Sequence, residues 1–196
     1  MKKGEKRKQE LLEIAYRLFV EKGYENTSVD EIIEAAGIAK GTYYYHFESK
    51  EAMLEEVIGM MIEAEGENAK KILDSPITIP QKLIGIIASF QLKDNEQTFV
   101  DTINRPENVL MHSKMSRRII DTIVPLLSKV IEEGISEGIF DCDNIPERVR
   151  MILIVSNTVF DDMDFTEKDI DVFIDLTEKL IGAKKGTMDF VRGLIR

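Results

Sequence analysis

Residues 28–37, SVDEIIEAAG, confine the backbone more tightly than any other stretch of this chain. Ser28 and Glu31 stand at capping-box spacing: the Ser hydroxyl accepts the amide three residues on, and the Glu carboxylate reaches back to the Ser amide. Such a pair starts a helix at Val29. Gly37 stops it, because glycine readily takes the left-handed conformation in which helices end. Between them Val29, Ile32, Ile33 and Ala36 form one apolar face on a helix too short to persist alone in water. It needs neighbours, and the flanking sequence supplies them. Residues 5–22 place Leu11, Ala15, Leu18 and Phe19 on one side, with Leu12 and Ile14 beside them, and Gly23 ends the run. After Gly37 a second short helix fits between Lys40 and Phe47, and Ser49 caps a long one from Lys50 to about Leu73. Two short helices joined by a tight turn, behind a longer supporting helix, make a helix-turn-helix. The layout alone fits equally a small helical hairpin with no nucleic-acid role.

The segment KGTYYYHF bears on both readings and leaves them open. At about 100° per residue, Tyr43 and Phe47 share a side and form the core pair. Tyr45 lies opposite, flanked by Thr42 and His46 on one edge and Tyr44 on the other, so these face solvent or a partner. The outward set of Lys40, Gly41, Thr42, Tyr44, Tyr45 and His46 contains no acid. It offers a cation, hydroxyls, an imidazole and aromatic area, which suit phosphates, base edges and a thymine methyl. Gly41 lets backbone approach a phosphate chain closely, and amides at a helix start attract anions. GIAKGT is not a Walker loop, since its Gly-Lys-Thr order and spacing are wrong. His46 has one fellow histidine, His112, and no carboxylate one turn before it. The reading therefore holds no metal and no cofactor.

Across AYRLFVEKGYENTSVDEIIEAAGIAKGTYYYHFESKEAML the chain resembles the N-terminal domain of the TetR (tetracycline repressor) family. The resemblance covers residues 8–55. It rests on Gly23-Tyr24, Thr27-Ser28-Val29, Ile32, Ala36-Gly37-Ile38, Lys40-Gly41-Thr42, Tyr45-His46-Phe47 and Ser49-Lys50. It implies that Thr27, Ala39, Lys40, Gly41, Thr42, Tyr44, Tyr45 and His46 contact operator DNA, and that Lys50 contacts a phosphate. It further implies a helical body that binds an effector between helices, and a homodimer sealed by the last two main helices.

Charge fits that division. The net charge is −10, yet residues 1–50 hold equal numbers of acids and bases, so the whole acid excess lies beyond them. Lys2, Lys3, Lys6, Arg7 and Lys8 cluster at the N-terminus, a basic tip on a neutral head that is able to meet phosphate despite an acidic body. One cysteine, Cys142, forms no internal disulfide and reads as a half-buried inert thiol. No stretch has the length and apolarity of a membrane span, and the apolar part of the N-terminal run is broken by Glu13 and Arg17, so the expectation is a cytoplasmic protein with no membrane partner.

Beyond Leu73 the pattern stays helical, over 79–92, 96–103, 106–111, 116–139 (with Pro125 as a kink), 146–163, 166–181 and 187–195. The expected fold is all-α, with about nine or ten helices: a three-helix helix-turn-helix domain at 1–49, then a larger ligand-binding and dimerisation domain at 50–196. Apolar strips at Val149, Ile152, Leu153 and Ser156, and at Phe173, Ile174, Thr177, Leu180 and Ile181, are candidates for the dimer interface; ordinary core burial explains them too. For an effector pocket, polar residues inside apolar helices and adaptable methionines are the signal. They give Met61, Phe90, Asn104, Met111, Met115, Asn157 and Phe160, with a small, largely apolar effector. Asp161, Asp162 and Asp164 read as a solvated acid run. An enzyme finds no nucleophile–base pair and no Glu-x-x-His here. A protein-binding helical module remains the other alternative, distinguished by DNA affinity that does not depend on salt. The expected function is a ligand-responsive homodimeric repressor, released from a palindromic double-stranded operator by its effector.

Overall fold

Gly37 closes the first short helix in the left-handed conformation, φ 60° and ψ 41°, with its N–H on Glu34 O. At the other end Glu31 N–H donates to Ser28 Oγ at 3.2 Å and Ser28 N–H donates to Glu31 Oε2 at 2.8 Å. The Ser28 amide, with the Lys22 ammonium beside it, holds the Glu31 carboxyl down at about 2. Local chemistry thus fixes both ends of the helix before any packing is considered.

The structure, a computed structural model, describes residues 3–91, 109–160 and 164–195. Among these are eight α-helices, one 3-10 helix and no strand. They are α1 (Lys3–Lys22), α2 (Val29–Ala36), α3 (Lys40–His46), α4 (Lys50–Leu73), α5 (Ile79–Ser89), α6 (Val109–Ser136), α7 (Ile145–Phe160) and α8 (Glu167–Ile181), then the 3-10 turn Asp189–Gly193. The helix count is slightly below the expected one. The closing segment is a 3-10 turn rather than an α-helix, and the short elements expected over 96–103 and 106–108 lie outside the described residues. Residues 109–111 open α6, which runs unbroken through an exposed Pro125.

The chain divides into two compact units: Met1–Glu63 with Leu92–Met115, and Ala64–Gln91 with Ser116–Arg196. In the first unit, α1 to α3 and the first half of α4 form a head with its own core. Leu11, Ala15, Phe19, Ile32, Tyr43 and Met53 have no exposed surface there. Such a core, worth roughly 25 cal/mol per Å² of apolar area removed from water, keeps helices as short as α2 and α3 folded.

The second unit, the body, packs α5, α6, α7, α8 and the 3-10 turn around Ile86, Leu127, Val130, Val149, Phe173 and Val191. Two glycines shape it. Gly182 ends α8 at φ 66°, and a Cβ there would run into the backbone of Asp141, whose N–H donates to Ile181 O at 3.1 Å. Gly134 sits in the last turn of α6, where the Phe140 ring occupies the space a side chain would need. Cys142 is half-buried, and burial pushes its thiol pKa up.

Candidate functional site

The three tyrosines of α3 point three ways. Tyr43 is wholly buried; its hydroxyl donates to Ser49 O at 3.3 Å, its ring lies 5.7 Å from that of Phe47, and burial pushes its phenol up to about 12. Tyr44 rests edge-on against Tyr43 at 5.2 Å and is 50% exposed. Tyr45 is 83% exposed, with His46 edge-on at 4.9 Å. Ala39, the N-cap, is exposed with extended backbone (φ −76°, ψ 148°), and Lys40 and Gly41 are exposed after it. A Cβ at Gly41 would meet nothing within 4 Å. Nothing inside the chain asks for glycine there, although glycine in a helix costs about 0.5–1 kcal/mol relative to alanine.

Two expected contacts have other employment. Thr27 has no exposed surface, and its hydroxyl donates to Gly23 O at 2.9 Å. Its side chain is the internal tie of the α1–α2 break. Lys50 donates to Tyr24 O at 3.0 Å and to Thr27 O at 3.1 Å, with its ammonium 4.1 Å from the Tyr24 ring centre. It clamps the same loop. The basic tip is also partly engaged. Arg7 pairs with Glu10 at 2.8 Å and donates to Ala36 O at 3.0 Å, and Lys8 pairs with Glu56 at 2.5 Å. Sequence reasoning missed Asp30. Its carboxylate accepts from Lys40 Nζ at 3.1 Å and raises the Lys40 pKa, so a phosphate must compete for that cation. The signal was the ten-residue spacing that two short helices and a tight turn bring together.

Of the pocket candidates, Met61, Met111 and Met115 are half-buried in the first unit. Phe90 and Phe160 pack against the body core, with Phe160 edge-on to Phe165 and Phe173. Asn157 is exposed and does not line an internal pocket; Asn104 lies outside the described residues. The body does hold a cavity of about 210 Å³. Its walls include Val149, Ile152, Leu153, Ser156, Phe173, Thr177 and Ile181, most of the residues expected at the dimer interface. Ile174 is buried in the core and Leu180 is half-buried, with its carbonyl accepting from Arg148 at 2.7 Å. Val149, Phe173, Thr177 and Ile181 of that stripe are buried, whereas Ile152, Leu153 and Ser156 keep part of their surface exposed. The uncovered apolar residues of α7 and α8 are Met151, Ile154 and Val159, and Val172 and Leu176. Their i, i+3 and i, i+4 spacings were legible but lay beside a second, richer apolar stripe.

Among the described residues no group of three or more His, Cys, Asp or Glu is placed to hold a metal ion, and no helix is long and apolar enough to cross a membrane.

Two family models match the chain. One, described as bacterial regulatory proteins of the tetR family, covers residues 11–57; the other, a tetracyclin repressor-like C-terminal domain, covers residues 91–180. The transcriptional repressor KstR2 of Mycobacterium tuberculosis is 32% identical over 142 residues, 70% of each chain. KstR2 of Mycolicibacterium smegmatis is 29% identical over 150 residues, 70% of this chain and 69% of that one. Among solved structures, RolR in complex with resorcinol superposes with a TM-score of 0.67 at 17% identity, covering 95% of this chain and 92% of that one, a likeness of fold.

Proposed function

We propose that this chain, which belongs to the tetR family of bacterial regulatory proteins, binds a palindromic operator as a homodimer and is released from it by a small molecule. The observation that carries the reading is α3: a buried Tyr43 anchors it while Tyr44, Tyr45 and the empty space at Gly41 face outward. Each of two heads lays α3 in a major groove, with half-site centres about 34–36 Å apart along the duplex. Thr42 and Tyr44 reach base edges; Ala39, Lys40, Gly41, Tyr45 and His46 meet the backbone and neighbouring bases. Lys50 adds charge beside the loop it clamps.

The dimer forms through the outer faces of α7 and α8, where Met151, Ile154, Val172 and Leu176 leave apolar surface uncovered. Repression rather than activation is supported by the KstR2 relatives, which are named repressors. A small effector is supported by the resorcinol held by RolR. Effector binding favours a body conformation in which the heads are wrongly spaced, so operator and effector weaken each other by the same factor. The lever is α4, one continuous helix from Lys50 to Leu73.

The test is selection of random duplex DNA by the purified protein, then a salt titration on the selected site. The expected result is an inverted repeat whose affinity falls steeply with salt, as counterion release requires. A salt-independent affinity, or no enriched site, sinks the reading in favour of a protein-binding head.

A further inference from the structure

Asp30 stands in the first turn of α2, yet the capping of that helix is done by the Ser28 hydroxyl and the Glu31 carboxylate. The Asp30 carboxylate instead accepts from Lys40 Nζ at 3.1 Å, across the turn that joins α2 to α3. Lys40 is the first residue of α3, a position where the helix dipole disfavours a cation. It belongs to the outward set of that helix, whose seven residues include no acid. Asp30 thus brings a negative charge to the rim of a face suited to phosphate. Both partners are open to water, with 63% of the Lys40 side chain and 77% of the Asp30 side chain exposed. An ion pair so exposed contributes little to folding. Its larger consequence is for an approaching anion.

We propose, building on α3 as the DNA-reading helix, that Asp30 determines specificity by making the charge of Lys40 short-ranged. From a distance the pair is a dipole with no net charge, so it adds almost nothing to the attraction of a polyanion. Non-specific binding draws essentially all its affinity from phosphate neutralisation with release of counterions, and a paired Lys40 is withheld from it. In the seated complex α3 brings a backbone phosphate within hydrogen-bond reach of Nζ. There one charge-assisted bond replaces another, and the released carboxylate keeps its water because it is exposed. The pair therefore costs the operator complex little and a loosely held duplex one whole cation per head. Charges set against the wrong partner are a general route to specificity. A merely structural role for Asp30, as a first-turn acid favoured by the α2 dipole, would not involve Lys40.

Anisotropy titrations of the full chain test this on two duplexes of equal length, the selected operator and a scrambled sequence, across a range of salt. The proteins are the parent, Asp30→Asn, Lys40→Gln and the double variant. Asp30→Asn should raise affinity for the scrambled duplex about tenfold and for the operator no more than about threefold, narrowing their ratio. On the scrambled duplex its log–log salt slope should steepen by about 0.9 for each head engaged. With Lys40→Gln in place, the same change at Asp30 should leave the ratio where it was. Asp30→Ser, which also suits a helix start, should repeat the result. A ratio that stays or widens in both Asp30 variants, or one that narrows equally without Lys40, overturns the proposal while the DNA reading stands. A parent that binds both duplexes equally and without salt dependence sinks the DNA reading, and Asp30 loses this role with it.

Discussion

The α3 helix of the head and the α7 helix of the body both bury one face, and they differ in what the other face carries. In α3 the inward residue is Tyr43 and the outward ones are Tyr44, Tyr45, Thr42 and Lys40, a polar and aromatic set. In α7 the inward stripe of Val149, Ile152 and Leu153 is matched outside by Met151, Ile154 and Val159, apolar again. Periodicity reports only that a helix has sides. It reports which side is buried where the two sides contrast, and α7 offers little contrast. A contiguous outward apolar face marks a surface for association, whereas an outward polar-aromatic face is compatible with water and with recognition.

The largest effect expected from this contrast is at Tyr43. Truncation to alanine removes a fully buried ring, and large aromatic-to-alanine changes cost about 3–5 kcal/mol. Urea unfolding of Tyr43→Ala should show that loss. A loss below about 1 kcal/mol would mean that α3 does not anchor through this ring.

Second in size is Leu176→Asp, which places a charge on the outer face of α8, where Leu176 is 41% exposed. Sedimentation should show the dimer dissociating, with the dissociation constant raised at least a hundredfold, about 3 kcal/mol. The inward neighbour gives the control: Phe173→Ala should lower the melting temperature and leave an expressed, folded fraction dimeric. If Leu176→Asp stays dimeric, the outer face is not the interface.

These two cases also mark how far the sequence carries. The head was legible because each of its boundaries is chemical and local: Ser28 with Glu31, Gly37, Ser49, and the four-residue step from Tyr43 to Phe47. The inward turn of Thr27 was not legible. Its hydroxyl closes onto Gly23 and Leu18 carbonyls, and no spacing rule announces that choice. In the body, helix positions followed from pattern, but the cavity did not. Its walls come from α5, α6, α7, α8 and the closing 3-10 turn, far apart in the chain. Asn157 looked like a pocket residue because it interrupts an apolar run, and the fold turns it outward. Met151 and Leu176 were hidden for the opposite reason, since they extend apolar runs.

Tyr44→Ala is the next smaller effect and the sharpest local test, because it adjoins Tyr43. Being 50% exposed, Tyr44 should cost about 1–3 kcal/mol in operator binding, with relaxed sequence preference at one position. Stability should change by no more than about 0.5 kcal/mol. Footprinting against the selected site, beside urea unfolding, separates the two quantities. Equal losses in both would erase the distinction between the adjacent tyrosines.

Capping boxes supply a case where head and body should behave alike. Glu31 of α2 is held at about 2 by the Ser28 amide, and Asp169 of α8 is lowered by its bonds to Thr166. A carboxyl whose folded pKa lies below its unfolded value adds stability that is full above the unfolded value and is lost as pH falls through the folded one. The contribution of Glu31 should therefore be complete above about pH 4.5 and fade towards pH 2. Glu31→Gln should remove that part of the acid dependence, and Asp169→Asn its counterpart in the body. Unfolding curves between pH 2 and 6 that overlay the parent in slope would show that neither carboxylate is held in solution.

The smallest effect has the most informative sign. Gly41 lies in α3 with nothing within 4 Å of where a Cβ would stand. Folding alone should welcome alanine there, since alanine is favoured over glycine in a helix by about 0.5–1 kcal/mol. Gly41→Ala should therefore raise the melting temperature slightly. The same methyl occupies the space through which the backbone would approach DNA, so operator affinity should fall while stability rises. Opposite signs from one atom would tie the glycine to an external partner, because a residue kept for folding cannot improve folding when it is replaced. A rise in stability with unchanged operator affinity would place the DNA backbone elsewhere on α3 and shift the close approach towards Thr42 and Tyr44.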